Sequence, residues 1–158
     1  MSSHKLFYIF ISTFLLLATT ISCNASNQFS TKTSVNNEKL ALSDKDGNCA
    51  VKYNQKSYPL NIQAPCGFVR VNKKMNAQKY HYKDIGTVFI IASTPVAKNV
   101  YTEDDDVKPE HMCSNHGQAI IVNKGKVILR KEKMIKLGFC HQLGFDEKVF
   151  YGYAYPVD

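Results

Sequence analysis

The 158-residue sequence lacks most of the features that mark an enzyme. It contains no glycine-rich dinucleotide fingerprint, no phosphate loop, no nucleophile elbow and no Ser/His/Asp order. The function classes that depend on those devices are thereby excluded, and histidine chemistry is left as the enzymatic reading. Repeats of useful length are absent. Helical periodicity is scarce, so an all-helical domain is excluded as well. Acidic residues are also in short supply. Thirteen Asp and Glu stand against twenty Lys and Arg, a formal net charge of +7. A chain that basic is drawn to acidic partners, although charge speaks to encounter and not to fold.

What is present begins at the N-terminus. Lys5 precedes an apolar run from Leu6 to Ala18, and small polar residues follow, the three-part layout of a secretory signal. The run is too short for a comfortable membrane span. Cleavage after Ala25 would leave 133 residues, enough for one domain with its own core, and no integral span. The stretch Thr20-Ile21-Ser22-Cys23 resembles a bacterial lipobox, which sets a second expectation of a lipid anchor on Cys23. The chain is therefore expected to be secreted or periplasmic, or else lipid-anchored.

Either cut removes Cys23 from disulfide chemistry and leaves Cys49, Cys66, Cys113 and Cys140. An even set in an oxidising compartment predicts two disulfides. Sequential pairing is expected, Cys49 with Cys66 and Cys113 with Cys140, because each pair brackets a compact segment.

Residues 26–48 are rich in Ser, Asn, Thr and Lys and read as a flexible tether, with one short helical turn near Glu38 to Leu42. Residues 49–158 read as the folded domain. Short β-type runs with turn punctuation dominate it: CAVKYN and SYPLNI as a hairpin, GFVRVN, and QAIIVNKGKVILR as a second hairpin. The run IGTVFIIAST, Ile85 to Thr94, is the candidate central strand buried on both faces. VKPEHMCSNHG is expected to form about two helical turns, and the closing VFYGYAY a strand. The fold class that follows is mainly β, a small sandwich or open barrel with one or two short helices, stapled by two disulfides.

Candidate sites are few. Asp44-Lys-Asp-Gly-Asn begins like a calcium loop, but Cys49 stands where that loop needs glycine and Gln55 where it needs glutamate, so the stretch reads as a turn. The acidic run Glu103 to Asp106 reads as a solvated loop. His111, His116 and His141 would be drawn together by a Cys113–Cys140 bond and form the candidate metal site, with zinc or copper as the ion. Two of His81, His111, His116 and His141 would be the acid and base of a small ribonuclease-like hydrolase. The candidate binding surface is Tyr151, Tyr153 and Tyr155 on one strand face, with Lys126 and Arg130 beside them.

The function expected is that of an exported, non-enzymatic binding protein of inhibitor, immunity or accessory type, requiring no cofactor. Its partner is expected to be a protein or an envelope polymer of acidic character rather than nucleic acid.

Overall fold

The computed structural model describes residues 29–71 and 76–156. The signal-like segment, Cys23 and both expected cleavage sites lie outside the described residues. Among the described residues the fold consists of two antiparallel sheets, one α-helix and short 3-10 turns.

The first sheet is a meander of β1 (Lys32–Val35), β2 (Glu38–Lys45), β3 (Asn48–Tyr53) and β4 (Lys56–Gln63), paired in chain order. Of the expected tether 26–48, residues 26–28 lie outside the described residues, and the rest is not a tether: it supplies two of these strands, and Glu38 to Leu42 is extended, not helical. Its apolar residues are few but correctly spaced. Val35, Leu40 and Leu42 turn inward, and that alternation is enough to seat a strand on a core.

The second sheet is built on β7 (Gly86–Ala92) and β8 (Cys113–Asn123). The short strands β5 (Gly67–Phe68) and β6 (Lys79–Tyr82) share the outer edge of β7, while β9 (Lys126–Leu129) and β10 (Lys133–Cys140) share that of β8. Every residue of β7 is buried, as the run of β-branched residues predicts. Phe89 and Ile91 face the first sheet, where they meet Leu40, Val51, Leu60 and Ile62. Val88, Ile90 and Ala92 face the opposite way, into a second core closed by the helix α1 (Glu147–Ala154). The expected sandwich is present, with a helix laid over one side of it.

That helix replaces the expected C-terminal strand. Asp146 caps it by accepting a hydrogen bond from the Lys148 amide at 2.8 Å, and Phe150, Tyr153 and Ala154 recur at helical spacing on the buried side. Aromatic β-propensity loses here to tertiary burial of a helical stripe. The reverse correction applies to VKPEHMCSNHG. Only Pro109–His111 forms a single 3-10 turn, Met112 ends it at φ 53°, and strand β8 starts at Cys113.

Both disulfides pair as expected. Cys49–Cys66 joins β3 to the segment entering β5 and so ties one sheet to the other. Cys113–Cys140 joins residues that are direct partners in the β8–β10 ladder. By the chain-entropy model each bond stabilises the fold by about 3 kcal/mol.

One polar side chain sits inside the sandwich and spans it. Gln118 on β8 is 2% exposed. Its Oε1 accepts from the Asn61 amide of the other sheet at 2.8 Å, and its Nε2 donates to the Arg130 carbonyl at 2.8 Å. Gln118→Ala should therefore cost about 2–4 kcal/mol, since it leaves two backbone groups without partners. Gln118→Glu, which keeps the acceptor, should spare the Asn61 bond but put a carboxylate against the Arg130 carbonyl, and it should also be destabilising. Urea unfolding of the three proteins checks both expectations; a loss below about 0.5 kcal/mol for the alanine variant would mean that water replaces the amide.

Candidate functional site

The structure disperses the histidines that the sequence could have grouped. His81, on β6, has its Nδ1 3.1 Å from Thr87 Oγ1. His111 accepts through Nδ1 from the Lys108 amide at 3.0 Å, inside the 3-10 turn. His116 places Nδ1 3.0 Å from Glu132 Oε1. His141 is fully buried, its Nε2 2.8 Å from the Ser93 carbonyl and its ring edge-on to Phe29 at 4.8 Å. The expected metal site of His111, His116 and His141 does not assemble, because a ring packed in the core and two rings held in separate turns and ladders cannot converge on an ion. No group of three or more His, Cys, Asp and Glu able to hold a metal occurs among the described residues. The Asp44 stretch is a hairpin turn, with the Gly47 amide donating to Asp44 Oδ1 at 2.9 Å. In the acidic run, Asp105 accepts from Thr102 and pairs with Lys136 at 3.3 Å.

His116 and Glu132 do open onto a cleft of about 230 Å³ between the sheets, together with Ser93 and Asn61. A carboxylate on Nδ1 is the orientation a general base needs. The Ser93 hydroxyl, however, donates to the Gln63 carbonyl at 3.0 Å and is 5% exposed, so it is not presented to the imidazole as a nucleophile.

The expected tyrosine row divides. On a helix, Tyr151 and Tyr155 share the outer side, whereas Tyr153 turns inward and is 3% exposed. Burial pushes the Tyr153 phenol up to about 12, and its hydroxyl has no partner among the described residues. Tyr151 and Tyr155 instead join Tyr82 of β6, with ring centroids 4.6–5.9 Å apart. Arg130 does reach the helix, donating from Nη2 to the Ala154 carbonyl at 2.9 Å, where it caps the helix C-terminus. Lys126 remains at the β8–β9 turn, exposed. The five residues do not make one surface.

A surface the sequence did not suggest is the outer side of the first sheet. On one parity of its strands Val35, Leu40, Leu42, Cys49, Val51 and Tyr53 point into the sandwich. The opposite parity carries Lys32, Lys39, Lys45 and Lys52, all exposed. Lys32 and Lys52 flank Ala41 in one cross-strand row. Between the lysines stand Ser34, Ser43, Ser57 and Pro59, with no carboxylate and no aromatic on that side of the four strands. The result is a flat, low, cationic face, on the side of the molecule away from α1. The signal for it was the alternation in KTSVNNEKLALSDK, hidden by a composition that resembles a linker.

The environment of His141 has a measurable consequence. Desolvation by burial lowers its pKa to about 4, opposed by the Ser93 bond and reinforced by the nearby Arg70 charge. Gly67 makes room for the ring, since a Cβ there would lie 2.9 Å from Nδ1. An unfolded imidazole titrates near 6.5. The unfolded chain therefore takes up the proton first, so this group's stability contribution is complete above pH 6.5 and is lost as pH falls through about 4. A shift of that size corresponds to about 3 kcal/mol. His141→Gln should flatten that part of the pH profile, read as the difference in urea stability between the two proteins at pH 7.5, 5.5 and 4. Parallel profiles would show that the ring is hydrated in the native state.

No known family model matches the chain, and no curated protein or solved structure matches it.

Proposed function

We propose that this chain is an exported, non-enzymatic binding protein, of inhibitor, immunity or accessory type, whose partner is a macromolecule of acidic character docking on the outer face of the first sheet. The observation that carries this reading is the face itself: Lys32, Lys39, Lys45 and Lys52 on one parity of three neighbouring strands, with no carboxylate among them. Four like charges in proximity repel one another, and a protein accommodates that more readily where an anion neutralises them. Small residues between the lysines let an extended partner lie close to the backbone.

Export is supported by chemistry rather than by any span. Two disulfides persist where thiols are not kept reduced. Among the described residues no helix is long and apolar enough to cross a membrane. A binding role, rather than a hydrolytic one, is supported by the way each described histidine is engaged singly: the Thr87 hydroxyl that meets the His81 imidazole is buried, and the Ser93 hydroxyl beside the His116 cleft is turned to the Gln63 carbonyl.

The test is affinity for two acidic polymers, heparin and polyglutamate, measured across salt concentration. Lys32→Ser, Lys39→Ser, Lys45→Ser and Lys52→Ser combined should weaken binding to both at least tenfold at about 50 mM salt, and should make the salt dependence shallower. The control combines Lys83→Ser, Lys98→Ser, Lys124→Ser and Lys148→Ser, the same change of charge placed elsewhere on exposed positions. It should stay within about threefold of wild type. Equal losses in the two variants would reduce the effect to net charge and remove the sheet face from the account.

A further inference from the structure

One end of the lysine face is shaped. The β1–β2 and β3–β4 turns lie side by side there, and between them is a shallow depression of about 590 Å³. Lys39 and Lys52 border it, Ala41 opposite Lys52 keeps its floor low, and Asn37, Asn54 and Gln55 present amides at its rim. Glu38 is the one carboxylate lining it, and it belongs to the parity of the strand opposite to that of the lysines.

The turns themselves are costly in an informative way. A two-residue turn with positive φ at both positions favours glycine at the second. Two hairpins of this protein obey that preference, with Asp46-Gly47 and Lys124-Gly125. The two that border the depression do not. They carry Asn36-Asn37, at φ 50° and 64°, and Asn54-Gln55, at φ 48° and 61°. Asparagine tolerates the left-handed region, but glutamine gains nothing there and pays in sterics. What each turn acquires in exchange is an amide side chain beside an ammonium group.

We infer that the depression between these turns is a subsite for an acidic sugar unit, so that the acidic macromolecule bound by the sheet face is an anionic polysaccharide. This rests on the reading of that face as the docking surface. An amide both donates and accepts, as does a sugar hydroxyl, and neighbouring hydroxyls on one ring are matched by amides on two adjacent turns. Lys39 and Lys52 meet a carboxylate or sulfate on the same ring, and Glu38 can accept from a hydroxyl at the rim. A single-stranded nucleic acid is held on aromatic platforms for its bases, and this parity of the sheet has none. An acidic peptide offers the turn amides its backbone groups but no row of ring hydroxyls, so polyglutamate is the probe that separates charge from sugar recognition.

The experiment compares a heparin-derived hexasaccharide with polyglutamate of matched charge, by calorimetric titration of the full mature protein. Wild type should prefer the hexasaccharide at least tenfold. The variant Asn54→Gly/Gln55→Gly places glycine where the backbone already has positive φ, so it should fold at least as well, with an unchanged affinity for polyglutamate. Its preference for the hexasaccharide should fall at least fivefold. Equal affinities of wild type for the two probes, or a glycine variant that discriminates as wild type does, would overturn the sugar subsite while leaving the cationic face standing. Binding of neither probe by wild type would sink the subsite and the face together.

Discussion

The β7–β8 ladder has no face to give to water, and the rest of the molecule is organised by that constraint. Val88, Ile90 and Ile121 point one way and Phe89, Ile91 and Ile120 the other, all of them fully buried. A ladder apolar on both sides needs two covers, and the chain supplies two different ones. The four-stranded meander closes one side and α1 closes the other. Each cover is amphipathic because only one of its sides meets the ladder, and the meander therefore has an outer side whose residues packing does not choose. On that free side the lysines appear.

Polar groups inside such a core have to be matched, and the few that occur act as joints. Gln118 holds the two sheets together across the sandwich, and Gln78 forms a reciprocal pair with the Phe145 backbone ahead of the helix, at 2.7 and 2.8 Å. Tyr101 does the same for the Cys113 backbone, accepting from its amide and donating to its carbonyl. In each case a side chain substitutes for a missing strand partner, which is how a fold with several short, split edge strands keeps its backbone satisfied. His141 and Tyr153 are exceptions, each buried with a side-chain polar atom lacking a partner among the described residues, and burial of its imidazole makes His141 a pH-sensitive element of the core.

Function, on this reading, sits where packing exerts least control. The turns at one end of the meander could be built from glycine, as the other two-residue hairpins are, and they carry amides instead. Backbone strain at an exposed turn is tolerated cheaply because nothing packed depends on it, whereas the same strain in the β7–β8 ladder would compete with core packing.

The sequence by itself determined the local and the covalent. Alternation in CAVKYN, the double-sided apolar run from Ile85, the Asn-Lys-Gly hairpin and the even cysteine set were all readable, because strand periodicity and turn chemistry are patterns among chain neighbours; which of the three possible cysteine pairings forms is settled by the fold. Tertiary structure alone decided the remainder. VFYGYAY has the composition of a strand, yet it becomes a helix because the side of β7–β8 that the meander leaves uncovered offers a stripe for Phe150, Tyr153 and Ala154 to fill. KTSVNNEKLALSDK has the composition of a linker, yet it pairs because Val35, Leu40 and Leu42 reach a core assembled by residues far along the chain. The histidines scatter because the Cys113–Cys140 bond fixes the backbone of their neighbourhood without fixing where each ring points. A lysine face is invisible in sequence for the same reason: four charges on three strands become one surface only when register aligns them.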